Sequence, residues 1–357
     1  MKLDKSLGKI QILFWTLLFI FLLSIIVFEI YTLVIFYKEG NLAIPDNFGN
    51  FKHIREKLIT DKKRKEFSFA VIGDTRGYGA WGFGSFEKIA AKLKKEDLSF
   101  MIMLGDCVRR GRPGYHRYLR AEIADDQEFR MPFPIFYVVG NHDVDPKQFP
   151  ISEFEKFYGP TNFYFNYQGN LFIFLRVLID PFPTDESIKF LESILEKEKD
   201  KHKRTFVFMH TPVSLSKYHK TKLVKNSQKL KNIFEKYKVD YVITGDYHGY
   251  FRQEHNDTKY IITGGGGSEL EDSRFGQFYH AIIMTIKPNS VSEDILFADR
   301  DEDFIDSLEC LALAEVYPWL KAYWVLAIVF NLVVILLCFL AIKKILYLIN
   351  KNILKEK

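Results

Sequence analysis

Two apolar stretches, one near each end of this 357-residue chain, limit most sharply what it can fold into. From Ile10 to Tyr37 the only charge is Glu29, and from Ala322 to Ile342 there is none. Each is at least as long as the ~20 apolar residues a helix needs to cross a bilayer. The first is far longer than the ~7–15 residues of a secretory signal core, and no A-x-A-like cleavage site follows it. Both are therefore expected to be retained transmembrane helices, at 10–37 and 322–342, rather than buried core helices.

The charges around them set an expected orientation. The tail 1–9 carries +2 and the tail 343–357 carries +4, so with Glu29 counted the residues 30–342 sum to zero out of a whole-chain +5. The basic excess thus lies in two short Lys-rich flanks, which stay on the cytoplasmic side of a membrane. Two spans then put both termini in the cytoplasm and the large middle region outside it, at the plasma membrane. No basic stripe with interleaved aromatics marks a nucleic-acid surface in the middle region. The three cysteines, Cys107, Cys310 and Cys338, form no disulfide framework.

Between the spans, residues 38–66 are expected to form a polar connector containing a charged, helix-compatible segment (HIREKLITDKKRKE). Residues 67–300 change texture, and 301–321 form a second connector. Short apolar runs appear, each ending in Gly, Asp, Asn or His: FSFAVIGD, LSFMIMLGD, FPIFYVVGNHD, RTFVFMH and VDYVITGD. Such runs, interleaved with helical periodicity at Ser85–Lys95 and Glu186–Glu198, predict the buried strands of an α/β domain. NFYFNYQGNLFIFLRV alternates about Gln168-Gly169-Asn170 and predicts a hairpin.

The strand ends share ligand chemistry. Asp74 closes the first run, Asp106 the second, Asn141 and His142 the third, His210 the fourth, Asp246 and His248 the fifth. Groups just past the carboxyl ends of strands in an α/β sheet converge on one crevice. Carboxylate, amide oxygen and imidazole suit Mn, Fe, Zn or Co, and a carboxylate can bridge two such ions. Singly, each motif has a plainer explanation as a turn or a helix cap. Jointly and in this order, chance explains them poorly.

GDTRG, GDCVRRG, GNHD, the His of MHTP and GDYHGY resemble the calcineurin-like metallophosphoesterases, whose usual pattern is GDxH, GDxxxxG, GNH(D/E), H and GHxH. The resemblance runs from about Phe67 to Leu296. It implies a two-sheet αβ sandwich with two divalent or trivalent metal ions at the sheet edges. By position, Asp74, Asp106 and His248 match ligands of the first metal, and Asp106, Asn141 and His210 those of the second. The resemblance further implies a metal-bound hydroxide as nucleophile attacking phosphorus in line, with His142 as general acid.

Three departures from the pattern stand out. Arg76 replaces a ligand histidine, and arginine has no lone pair to offer a metal. Asp246 replaces another histidine but can still ligate through oxygen, so the two changes oppose in charge and an Arg76–Asp246 interaction is expected. Arg109 stands where some members carry an Asp that orients the general acid, while Arg110 keeps the phosphate-binding arginine position; two adjacent guanidiniums suit a grip on phosphate oxygens.

Of the other histidines, His53, His202 and His219 are expected in solvent, His116 in a loop, His255 in a turn and His280 in a strand. The aromatic loop Tyr78, Trp81 and Phe83 is expected to border the cleft. Two functions are consistent with these residues. One is a membrane-anchored hydrolase acting on a phosphoester, with lipid- or envelope-derived phosphates as natural candidates. The other is a catalytically weak phosphate-ligand sensor or scaffold on the same fold.

Overall fold

The computed structural model describes residues 2–60, 64–76, 84–124, 130–198, 200–215, 224–271, 276–300 and 304–354. His219 and the aromatic loop at Tyr78, Trp81 and Phe83 lie outside them. The chain divides into two compact units, Leu42–Cys310 and the pair of segments Met1–Asn41 and Leu311–Lys357.

Helix α1 (Lys2–Lys38) opens the chain, and α2 (Lys52–Ile59) precedes the first strand. Every apolar run that ends in a ligand-type residue is a strand: β1 (Phe67–Ile72), β2 (Leu98–Met103), β3 (Ile135–Tyr137), then, after the hairpin β4 (Phe163–Tyr167) and β5 (Asn170–Leu175), β6 (Thr205–Met209) and β7 (Tyr241–Thr244). Four more strands follow, β8 (Tyr250–His255), β9 (Thr258–Thr263), β10 (Tyr279–Ile286) and β11 (Val291–Ala298). They make a five-stranded sheet of order β11-β10-β1-β2-β3 and a six-stranded sheet of order β4-β5-β6-β7-β9-β8. β1, β2 and β3 run parallel, as do β5, β6, β7 and β9.

The hairpin turns on two residues, because Tyr167 pairs with Asn170. Gln168 (φ 50°) and Gly169 (φ 77°) both take positive φ, the backbone a two-residue loop needs to match strand twist. A Cβ on Gly169 would meet nothing, so glycine is favoured there by conformation and not by space.

Phenylalanine fills the space between the sheets. Phe69 stacks on Phe100 at 5.0 Å and Phe172 on Phe206 at 5.1 Å, while Phe69 meets Phe172 edge-on at 5.4 Å. Each such ring, fully buried, contributes about 1.5–3 kcal/mol relative to exposure. Much of the chain's count of 34 Phe is thereby accounted for as core.

Outside the sheets lie α3 (Ser85–Leu93), α4 (Pro113–Ala124), α5 (Ile151–Tyr158), α6 (Asp185–Glu198), α7 (Ser227–Lys236) and α8 (Phe304–Leu311). α3 buries Phe86, Ile89, Ala90 and Leu93, one face at helical spacing. α6 and α7 cover the outer face of the second sheet, with Ile188, Leu191 and Phe234 in the cluster that holds Ile173 and Val207. The segment before α2 packs on the sandwich edge, where the Asn50 amide donates to Tyr137 O (2.7 Å) and accepts from Tyr137 N (2.9 Å).

Three histidines differ from expectation, and the first, His255, is the last residue of β8, paired with Thr258, rather than part of a turn. His116 sits inside α4 rather than in a loop, stacked at 3.8 Å on Phe149 and hydrogen-bonded to Asp143 O (2.7 Å) and the Tyr158 hydroxyl (3.0 Å). Burial pushes its pKa down to about 3. His202 is not solvated but 9% exposed, pairing at 3.0 Å with Glu198 one turn back, whose carboxyl is held below its usual range by that hydrogen bond. His280 is buried in β10 against Thr263.

In the other unit, a π-helical turn (Ala312–Val316) and α9 (Tyr317–Ala322) lead into α10 (Trp324–Leu354). Gly8–Lys38 and Trp324–Asn352 are both long and apolar enough to cross a membrane. α10 continues past Ile342, because lysines at a helix end can extend their charged heads to water while their stems stay on the apolar face. Leu22, Val334 and Cys338 form the small core between α1 and α10, and the Asn331 amide donates to Glu29 at 2.6 Å.

Candidate metal centre

Asp74, Asp106 and Asp246 follow β1, β2 and β7, each directly after a glycine, and each takes positive φ (58°, 52° and 67°). Aspartate tolerates this left-handed conformation better than most side chains, and such backbone clusters at functional sites. The turns pack too closely for larger residues. A Cβ on Gly140, just before Asn141, would lie 2.2 Å from Asp106 N.

His210, directly after β6, is fully buried. Its Nδ1–H donates to Leu104 O at 2.7 Å, which orients Nε2 inward. Nε2 is ringed by oxygens: Asn141 Oδ1 at 3.2 Å, Asp106 Oδ1 at 3.3 Å and Asp246 Oδ1 at 3.7 Å. His248 repeats the device, donating from Nδ1 to Glu269 O at 2.6 Å and placing Nε2 3.5 Å from Asp74 Oδ1. A hydrogen bond at the far nitrogen, fixing the tautomer and the ring, is the usual support of a metal-ligating histidine.

The cluster is electrostatically incomplete. Asp74 is fully buried, and burial, with Asp106 and Asp246 nearby, raises its pKa well above the usual carboxylate range. Its Oδ1 accepts no hydrogen bond, while Oδ2 accepts from Asp246 N at 2.9 Å. At His210 burial opposes the charged form, yet Asp106, Asp74 and Asp246 outweigh it and hold the imidazole up to about 9. For Asp106 the order reverses: burial pushes up, but His210, His142 and Arg76 together hold the carboxyl low. Three buried carboxylates facing one imidazole attract positive charge, and donor atoms of Asp74, Asp106 and His210 lie within 4.8 Å of one another. This donor set fits a cation.

The remaining residues named from the sequence are placed as follows. His142 donates from N to Asp106 Oδ1 (2.8 Å) and from Nδ1 to Arg109 O (2.9 Å), with Nε2 3.8 Å from Asp106 Oδ2. The backbone carbonyl of residue 109, not its side chain, thus orients the ring. Arg76, expected against Asp246, lies against Asp106 instead, Nη2 to Oδ2 at 3.7 Å, with Nε on the Ser268 hydroxyl at 3.3 Å. Arg110 is exposed, and no ion pair joins it to the cluster among the described residues.

Asp143 is the organising residue that the sequence reading passed over as part of a turn. Fully buried, it accepts from Asp106 N (2.9 Å) and Gly140 N (2.6 Å) at Oδ2, and from Cys107 N (2.9 Å) and Val108 N (3.2 Å) at Oδ1. One carboxylate therefore pins the loop that carries Asp106 to the loop that carries Asn141 and His142. Its position, one residue after His142 in GNHD, was the signal available.

The pattern described as "Calcineurin-like phosphoesterase" matches residues 67–250. The chain belongs to that family. No curated protein sequence matches it. Among solved structures it is similar to a dimetal phosphatase from Danio rerio, at 12% identity over 66% of this chain and 98% of that one, with a TM-score of 0.51. It is also similar to the GAP50 anchor in the inner membrane complex of Plasmodium (18% identity, 71% and 96% covered, TM-score 0.49). A third likeness is to purple acid phosphatase PPD1 from seeds of yellow lupin, Lupinus luteus (16%, 69% and 55%, 0.49). The zebrafish likeness shows the metallophosphoesterase fold in this family member.

Proposed function

We propose that this metallophosphoesterase is an active phosphoester hydrolase, held at the plasma membrane by spans at 10–37 and 322–342. Its catalytic domain, 67–300, faces away from the cytoplasm, and the tails 1–9 and 343–357 lie within it. The observation that carries the reading is the buried Asp74–Asp106–His210 cluster, whose donor atoms lie within 4.8 Å of one another.

Asp74, Asp106 and His248 would hold one ion, and Asp106, Asn141, His210 and Asp246 a second. When bound, the ions would supply Lewis-acid polarisation of the phosphate and a nucleophilic water at neutral pH. His142, fixed by Arg109 O, holds a proton at Nε2 for the departing oxygen, a role worth ~10²–10⁴-fold in rate. Arg76 and Arg110 grip phosphate oxygens. Tethering to a bilayer favours lipid- or envelope-derived phosphoesters as substrates.

A second reading, a weak sensor or scaffold, is favoured by one observation: Arg76 places a fixed positive charge 3.7 Å from the carboxylate that would bridge the ions. One experiment separates the two. The full-length protein in detergent is assayed on p-nitrophenyl phosphate and bis-p-nitrophenyl phosphate, with Mn and with chelator, and its metal content is measured. Hydrolysis abolished by chelator and by Asp106→Ala is expected; bound metal without turnover on either ester sinks the enzyme reading. A reporter fused to the C-terminus is expected in the cytoplasm, and an external signal reverses the topology.

A further inference from the structure

At the end of the sandwich opposite the metal centre, five basic side chains surround one cavity of about 350 Å³. Arg64 and Lys65 precede β1, Lys203 and Arg204 precede β6, and Lys287 follows β10. Among the described residues, no acidic side chain lines the cavity. Among the described residues, only Arg64 of these five has an ion pair, at 3.7 Å to Asp97, whose side chain is 93% exposed. Lys65, Lys203 and Lys287 are exposed and carry none among the described residues.

Arg204 is held in place by its own hydrogen bonds to Lys287 O (3.2 Å) and Pro288 O (3.4 Å). Its charge is thus fixed at the rim, where the Asp240 carboxylate also feels it. The floor carries a second, independent feature. Asn170 is 2% exposed, its amide nitrogen donates to Gln168 O (3.1 Å) and Tyr167 O (3.4 Å), and its buried Oδ1 accepts nothing. The nitrogen's two carbonyl partners fix which amide atom is which. The ring of cations around this cavity calls for a ligand that brings negative charge.

We infer that this groove binds a phosphate ester, at a site separate from the metal centre. Phosphate oxygens meet Lys203, Arg204 and Lys287. Guanidinium and ammonium groups from separate segments suit a multiply charged anion oxygen set. The ligand is a soluble ester or the headgroup of an anionic lipid such as a glycerol phosphodiester, and the two sources are separable.

The full-length Asp106→Ala protein, kept in chelator so that the metal centre takes no part, is titrated in detergent with glycerol 3-phosphate. The same protein is placed in phosphatidylcholine nanodiscs with and without phosphatidylglycerol. Binding is read by calorimetry and by hydrogen-exchange protection of 203–205 and 286–290. Saturable, salt-weakened binding or protection in at least one arm is expected, and Lys203→Glu with Lys287→Glu weakens it at least tenfold. Should that pair fail to fold, Lys203→Gln with Lys287→Gln weakens it at least threefold. Protection only with phosphatidylglycerol assigns a headgroup; binding only of the soluble ester assigns a free ligand. No saturable response in either arm, or a response equal in wild-type and variant groove, overturns the site.

Discussion

The two ends of the sandwich carry opposite charge in opposite ways. At the carboxyl ends of β1, β2, β6 and β7, negative groups are buried and pinned by backbone hydrogen bonds. At the amino ends of β1 and β6, about 20 Å away by strand length, positive groups are exposed and mostly unpaired. Burial makes the first end expensive to disturb, because each charge removed leaves partners stranded in low dielectric. Exposure makes the second cheap to disturb, because water and salt screen it. Substitutions at the two ends should therefore differ by an order of magnitude in effect.

The largest effect belongs to Asp106→Ala. Removing the carboxylate shared by His210, His142 and Arg76 should lower hydrolysis at least as much as loss of one preorganised electrostatic group, ~10²–10³-fold. Metal analysis of the same preparation should show lost ions; full metal content with lost activity would move Asp106 from ligand to another role. Next comes Asp143→Ala, which strands four backbone N–H groups at once. At about 1–3 kcal/mol for each buried donor left unsatisfied, the loss should be roughly 3 kcal/mol or more. Thermal unfolding in detergent measures it, and a shift below 1 °C would show that water replaces the carboxylate.

How far these ends were legible in the sequence follows from how each is built. The convergence of Asp74, Asp106, Asn141, His210, Asp246 and His248 at one end was readable because each sits within a few positions of a strand's last residue and carries its own local signature. The sandwich and its hairpin were readable for the same reason, as periodicity and turn chemistry are local. What could not be read depends on contacts between distant segments. Arg76 against Asp106 rather than Asp246 is a matter of side-chain direction. The Arg109 carbonyl as partner of His142 involves backbone, which every residue has. The basic groove joins Arg64, Lys203 and Lys287, drawn together only when β1, β6 and β10 pair in their two sheets. Two basic runs, KKRK at 62–65 and KDKHKR at 199–204, stand in the sequence, but nothing local says that they meet.

A pH series sharpens the contrast, because only buried groups shift strongly. His116 is neutral in the folded protein, its pKa depressed from 6.5 to about 3 by burial. Its contribution is fully present above pH 6.5 and is lost as pH falls toward about 3, since the unfolded chain takes up the proton first. The slope is about 1.4 kcal/mol per pH unit. His280, depressed to about 4, acts in the same direction. Melting temperature from pH 6.5 down to pH 4.5 should therefore fall less steeply for His116→Gln than for the parent, once both are normalised at pH 7.5. Parallel slopes would mean that His116 is charged in the fold.

The smallest effect is the one with the unusual sign. Most substitutions destabilise, yet Lys203→Gln and Lys287→Gln each remove a positive charge from a groove whose described lining residues include other cations and no carboxylate. Two exposed unit charges about 10 Å apart repel by about 0.4 kcal/mol in water, less once salt screens them. Each variant should thus gain a few tenths of a kcal/mol in low salt, and the gain should vanish near 1 M salt, where the screening length is about 3 Å. Unfolding measured at both ionic strengths distinguishes this from a packing effect, which salt would leave in place. A variant less stable than the parent at low salt would mean that Lys203 or Lys287 already has an acidic partner, and the charge asymmetry between the two ends would then be smaller than the side-chain positions imply.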